Sequence, residues 1–329
     1  MNIKTLLYSM PIFNSVSNTW LIYLGLVYLL GFLFACERVS FENGKKSYGT
    51  QNVVIVVIDG ARYSDTWDSS AIFRIPNMAK VLRPQGTFFT NFYNNGYTFT
   101  ISGHTAITTG LCQPMDNNGN EYPKNPSLFQ YWLKHTGKPA TCAWIIASKG
   151  KLNVLANTQH SDWKNTYQPL TNCGINNTGQ GYRNDSLTFA EAIRIFKEHQ
   201  PNLVLINFKE PDASGHSGNW DTYLKGISAS DKYVGQLWDF LQKDEFYKNK
   251  TAVFITNDHG RHTNDFISHG DECEGCQHIS LLALGPDFAK GKTVNKRYNQ
   301  TDISATIAEL LGFNFNVTQG KKIEELLSL

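Results

Sequence analysis

Six aliphatic residues in succession, Val53 to Ile58, are followed at once by Asp59 and Gly60. A run this short and this apolar is comfortable only as a strand in the middle of a sheet, covered on both faces. The carboxylate at its end is costly to bury unless it is paired, caps a helix or binds a metal. The same pattern returns along the chain. Leu203–Phe208 leads into Glu210-Pro211-Asp212-Ala213-Ser214-Gly215-His216, and Ala252–Ile255 leads into Asp258-His259-Gly260. Residues 140–147 empty into Ser148-Lys149-Gly150-Lys151. Residues 86–93 and 279–284 read as further strands. Helical patterns fall between them at 75–82, 126–134, 185–200, 223–242 and 302–311, and residues 152–184 read as a polar surface excursion. Strands alternating with helices predict an α/β fold, a mostly parallel central sheet with helices on both faces.

In open sheets of this class, ligands sit beyond the carboxyl ends of the strands. Three predicted strands deliver an Asp there, and two of these carry a His one or four positions on. The segment from Ile101 reads as a helix start, which places Thr100 beside free N–H groups that favour an anion. Asp59, Asp212, Asp258 and an ionised Thr100 would supply four negative charges, enough for two divalent cations. Carboxylate and imidazole together suit Zn²⁺.

The order of these motifs resembles the alkaline phosphatase superfamily, especially its phosphodiesterase and phosphonoacetate hydrolase branches. The resemblance runs from about residue 51 to 329. It rests on Asp59-Gly60, the Thr100-centred stretch ending in Thr109-Gly110, Pro211-Asp212-Ala213-Ser214-Gly215-His216, and Asp258-His259-Gly260. Residues 100–104 also resemble the nucleophile segment of phosphopentomutases. The resemblance implies a three-layer alkaline phosphatase-like sandwich. It implies that Asp212, His216 and a further His hold one metal, and that Asp59, Asp258, His259 and the Thr100 oxygen hold the other. The further His is His269 or His278, and His269 is preferred because it falls at the substrate-facing position. Lys149 and Lys151 resemble the lysine pair that holds an anionic substrate in phosphonoacetate hydrolases, and Asn120 resembles a phosphodiesterase Asn donor. His104 and His262 are expected to be loop residues or supports for the ligands.

The implied reaction is hydrolysis of a phosphate ester or phosphonate through a phosphothreonine on Thr100, with a small anionic substrate. Sulfatase chemistry is disfavoured, because Thr100 cannot become formylglycine and no Pro-x-Arg follows it. A mutase or transferase on the same fold is a second expectation, weakened by the lack of a large insertion for a cap. A surface binding lipoprotein without turnover is a third.

Trp20–Ala35 is an unbroken apolar stretch like a secretory core, and Leu33-Phe34-Ala35-Cys36 resembles a lipoprotein cleavage box. Residues 1–36 are therefore expected to be a signal peptide or membrane anchor, residues 37–50 a tether, and residues 51–329 the catalytic domain of an exported, periplasmic or cell-surface protein. Of six cysteines, Cys273 and Cys276 are expected to form a local disulfide, with a redox pair or half a structural zinc site as alternatives, the zinc reading weakened because no second pair of similar spacing exists. A formal charge of +2 from 30 basic and 28 acidic residues, with no basic block, gives no nucleic-acid surface.

Overall fold

The computed structural model describes residues 47–316 and 318–327. The apolar run Trp20–Ala35, Cys36 and residues 37–46 lie outside the described residues. Among the described residues no helix is long and apolar enough to cross a membrane.

The centre is one sheet of nine described strands: β1 Asn52–Ile58, β2 Thr87–Tyr93, β3 Ala143–Ala147, β4 Leu170–Cys173, β5 Leu203–Phe208, β6 Thr251–Thr256, β7 His278–Leu284, β8 Lys292–Val294 and β9 Tyr298–Asn299. Their order is β4-β3-β5-β1-β6-β7-β2-β8, with β9 also beside β2. Only β7 runs against its neighbours, β6 and β2; the other pairings are parallel. β1 lies between β5 and β6, in register Val54 to Val204 and Val54 to Val253. The whole of β1 is buried, as its aliphatic run requires. Burying each such side chain contributes about 1.5–3 kcal/mol.

The described α-helices of five or more residues are α1 Thr100–Thr109, α2 Leu128–Thr136, α3 Asp185–His199, α4 Asp212–His216, α5 Trp220–Lys243 and α6 Thr301–Leu310. Successive strand residues face opposite sides. Val54, Val56 and Ile58 form a core with Ala192, Ile195 and Phe196 of α3 and Tyr223, Ile227, Val234 and Leu237 of α5. Helices α1, α2 and α6 pack on one another and cover the other face. The α/β fold with a mostly parallel sheet between helical layers is therefore the one the sequence predicts.

Three local features differ from expectation. The predicted helix at 75–82 is a π-helical turn, Asn77–Leu82, opened by Asp231 of α5. That buried carboxylate accepts the N–H groups of Asn77 and Met78 at 3.0 and 2.8 Å, so a distant helix supplies the cap. The polar stretch 152–184 contains the four-residue edge strand β4. Residues 49 and 50, expected in the tether, are bound to the domain. Gly49 N–H and the Thr50 N–H and hydroxyl donate to the Asp287 carboxylate at 2.6–2.8 Å.

Candidate active site

Four adjacent strands, β3, β5, β1 and β6, end along one edge of the sheet and deliver polar groups to one place. Asp59 follows β1 and Asp258 follows β6. Asn207 lies within β5, Asp212 opens α4 just beyond it, and Lys149 lies two residues past β3. Asp59, Lys149, Asn207, Asp212, Asp258 and His259 are all at most 2% exposed. Helix α1 approaches so closely that a Cβ on Gly103 would lie 2.4 Å from the Asp258 carbonyl oxygen. Gly60 turns the chain at φ +64°, and a Cβ there would meet Asp212 at 2.8 Å. Glycine at both positions lets the elements converge.

Two sets of ligand-type atoms result. In the first, Asp212 Oδ1 lies 3.4 Å from His216 Nε2 and 3.4 Å from His269 Nε2, and the two imidazole nitrogens are 3.2 Å apart. In the second, His259 Nε2 lies 3.6 Å from Asp59 Oδ1 and 3.4 Å from Asp258 Oδ2. Ligand atoms about 2.0–2.1 Å from a tetrahedral ion lie roughly 3.3–3.4 Å from one another. The His259 and His269 rings stack at 3.8 Å, which joins the two sets.

The hydrogen bonds show which atoms are spare. His259 Nδ1–H donates to Gly260 O and His269 Nδ1–H to Thr98 O, each at 2.8 Å. Those bonds leave the Nε2 lone pairs directed into the site, the usual arrangement behind a metal-bound imidazole. Burial lowers the pKa of both rings, and for His269, with His259 adding to it, to about 3. Asp258 Oδ1 accepts the N–H groups of Gly60 and His259. Asp258 Oδ2 and His259 Nε2, both buried, have no hydrogen-bond partner. Unpartnered buried donor and acceptor atoms are rare, and a divalent cation satisfies both. The residues present therefore fit such an ion.

His104 differs. Its Nδ1–H donates to Thr100 O at 2.8 Å and its Nε2 accepts from Asn207 Nδ2 at 3.2 Å, so both nitrogens are used. Asn207 also donates to Asp59 Oδ2 at 3.0 Å. The pair orients Asp59 and the start of α1 rather than offering free lone pairs.

Two cations already lie among the carboxylates. Lys149 Nζ donates to Asp59 Oδ1 at 2.8 Å, Asp212 Oδ2 at 2.6 Å and Thr100 Oγ1 at 3.0 Å. Arg261, fully buried, donates to Asp212 Oδ1 at 2.5 Å and to the carbonyls of Phe266 and Ile267. Burial alone would raise Asp212, but Lys149, His216, His259 and Arg261 hold it well below the usual carboxylate range. Asp59 is instead raised by burial and by Asp258, against the pull of Lys149. Lys149 thus lies at the centre of the acids rather than at a substrate rim. Arg261 was not among the expected site residues; its position directly after Asp258-His259-Gly260 is the signal that could have found it.

The remaining expected residues are placed as follows. His278 is stacked between Tyr63 and Tyr93 at 4.0 and 4.8 Å and bonded to Thr90 O, so His269 is the one beside Asp212 and His216. Lys151 Nζ donates to Asn117 O at 2.9 Å, and burial lowers its pKa. Asn120 donates its side-chain amide to Asp116 at 2.5 Å; the side chain that meets the start of α1 is Asn117, whose Oδ1 accepts Ile101 N–H at 3.1 Å. Lys151 and Asn120 line a polar cleft of about 330 Å³ with Asn117, Asn118, Gln180 and Tyr182. The expected disulfide between Cys273 and Cys276 is not formed; both are free thiols facing His262 Nδ1, at 3.6 and 3.4 Å.

A mostly parallel sheet with buried carboxylates and spare imidazole nitrogens at its carboxyl edge offers a donor set suited to divalent cations. The chain belongs to the Metalloenzyme superfamily, the alkaline phosphatase-like proteins: the family model matches residues 51–315. It is 25% identical over 287 residues to a bis(5'-adenosyl)-triphosphatase of Xenopus laevis, covering 80% of this chain and 59% of that protein. Over 125 residues it is 27% identical to a 2,3-bisphosphoglycerate-independent phosphoglycerate mutase of Gracilaria tenuistipitata var. liui, covering 37% of this chain and 24% of that protein. A solved alkaline phosphatase superfamily protein from Vibrio parahaemolyticus superposes with a TM-score of 0.64 at 16% identity, over 89% of this chain and 77% of that one, a likeness of fold. The superfamily is one of metalloenzymes that work with divalent metal ions, and the chain spans a quarter to three-fifths of the length of the two relatives just named.

Proposed function

We propose that the protein hydrolyses phosphate esters or phosphonates through a covalent phosphothreonine on Thr100. The observation that carries this reading is the position of Thr100 Oγ1. It sits at the first residue of α1, 3.0 Å from the Lys149 ammonium that bridges Asp59 and Asp212. Of the neighbouring hydroxyls, Thr98 donates to Asp271 O and Ser102 accepts Met115 N–H, whereas the buried Thr105 hydroxyl has no hydrogen-bond partner and lies five residues further along α1.

Asp212, His216 and His269 would hold one divalent ion, and Asp59, Asp258, His259 and Thr100 the other. The donor set of carboxylate oxygens and imidazole nitrogens is suited to Zn²⁺. Bound ions supply Lewis acidity, which favours ionised Thr100 and stabilises charge on the phosphoryl and leaving oxygens. Thr100 Oγ1 attacks phosphorus in line and the bond to the leaving alcohol breaks. Lys149 stabilises negative charge on the threonine oxygen, and the α1 N-terminus receives phosphoryl oxygens. Water then cleaves the phosphothreonine.

The charges bear on substrate preference. Three carboxylates against Lys149 and Arg261 leave one negative charge, which two divalent ions turn into a surplus of three positive. Ionised Thr100 reduces it to two. The site therefore suits substrates that bring two negative charges, such as monoesters, ahead of singly charged diesters. The alternative of transfer to an acceptor is favoured by the match to the mutase, and added alcohols as acceptors would reveal it.

The test is a panel of aryl phosphate monoesters, diesters, phosphonate esters and sulfates with metal supplied. Thr100→Ala is expected to lose several orders of magnitude in rate, and Thr100→Ser to keep substantial activity. Acid-quenched protein should carry phosphate on Thr100. Near-normal turnover by Thr100→Ala, or label on Ser102 or Thr105, refutes the assignment.

A further inference from the structure

Outside the site just described, a second set of ligand-type side chains converges. We propose that His262, Asp271, Cys273 and Cys276 form a structural zinc site that clasps the loop carrying His269. This does not depend on the reaction assigned to Thr100. The four ligand atoms all lie within 4.8 Å of one another. His262 Nδ1 is the hub, 3.1 Å from Asp271 Oδ1, 3.6 Å from Cys273 Sγ and 3.4 Å from Cys276 Sγ. With zinc–nitrogen and zinc–sulfur distances of about 2.0–2.1 and 2.3 Å, the edges of a tetrahedral site come to roughly 3.4 Å for nitrogen to oxygen and 3.6 Å for nitrogen to sulfur. The observed edges lie within a few tenths of an ångström of these.

Cys276 is buried and Cys273 partly buried, so both sulfurs are held beside the imidazole largely out of solvent. A disulfide would account for the two sulfurs but not for the imidazole and carboxylate aimed at the same point. Two sulfurs with a nitrogen and an oxygen select zinc over harder cations. Four protein ligands close the coordination sphere, the mark of a structural rather than a catalytic ion. Binding displaces two thiol protons to solvent.

The position explains the use. Gly260 N–H bonds Cys276 O and Arg261 N–H bonds Gly275 O, both at 2.8 Å, so the Cys273–Cys276 turn lies directly behind the Asp258-His259-Gly260 ligands. His269 lies inside the loop that the clasp closes, between His262 and Asp271. Joining the loop ends removes conformational freedom that the loop would otherwise keep, and fixes His269 against Asp212.

Cobalt(II) reconstitution of the full chain tests this, because none of the candidate catalytic ligands is a cysteine. The reduced wild type is expected to show a thiolate-to-cobalt charge-transfer band in the near ultraviolet, saturating at one equivalent per chain. Asp258→Asn should keep the band, and the double variant Cys273→Ser/Cys276→Ser should lose it. If the double variant does not fold, the wild type decides. Modifying its thiols with an organic mercurial should release one zinc per chain to a chromophoric chelator. No charge-transfer band, a band surviving the double substitution, no zinc released, or a Cys273–Cys276 disulfide in protein isolated without oxidant would each overturn the proposal.

Discussion

Arg261→Gln offers a quantitative test of how the site is held together. The guanidinium is wholly buried, pairs with Asp212 and also fills the carbonyls of Phe266 and Ile267. Removing one partner of a buried ion pair costs about 3–5 kcal/mol, because the other charge stays desolvated. Lys149 still neutralises part of Asp212, and glutamine can recover at most part of the carbonyl bonding, so these two corrections oppose each other. For a domain of this size 1 kcal/mol moves the midpoint of thermal unfolding by about 2–4 °C, so the expected fall is roughly 6–20 °C. The measurement is calorimetry on the metal-chelated protein, wild type against variant. Repeating it with metal restored should shrink the difference, since a divalent ion on Asp212 takes over from the lost arginine. A fall of less than about 2 °C after chelation, or the same fall with and without metal, would refute the pairing as a stabilising element.

Three further outcomes are expected. Asp258→Ala should bind one divalent ion fewer than wild type by elemental analysis, and equal content would remove Asp258 from the ligand set. His269 takes up a proton near 6.5 when unfolded but resists until about 3 when folded. The unfolded state therefore binds more protons in that window, so the chelated protein should lose stability as pH falls from about 6.5 towards 3, and His269→Gln should flatten that slope. A chain beginning at Gln51 loses three hydrogen bonds to Asp287 and should be about 1–3 kcal/mol less stable than one beginning at Tyr48. Identical midpoints would show that residues 48–50 are dispensable.

The central strands were legible because burial on both faces leaves a continuous apolar run, as in β1 and β5. The four-residue edge strand β4 was not, because Thr171 and Asn172 break such a run, and β8 and β9 are shorter still. Asp59, Asp212 and Asp258 could be found from strand ends alone. The inward turn of Lys149 could not, since a lysine after a strand looks the same whether it points to solvent or among carboxylates. The partners of Cys273 and Cys276 were hidden for another reason: His262 lies eleven residues before Cys273 and shares no regular spacing with the pair. Arg261 acts through a carboxylate 49 positions away, a pairing that only the closed sheet creates.

That dependence on sheet closure has a kinetic consequence. Asp59 and Asp258 come from strands β1 and β6, which pair across sequence separations near 200 residues. Contacts so remote in the chain form late, after the intervening loop entropy has been lost. Metal ions supplied during refolding should therefore slow unfolding of the finished protein without speeding its early collapse, for the cage they occupy does not exist until β5, β1 and β6 lie side by side. The cluster from His262 to Cys276 is local and faces no such delay. Zinc added at the start of refolding could order that segment while the sheet is still assembling, so the two sets of ligands would be filled at different stages in the birth of the same molecule.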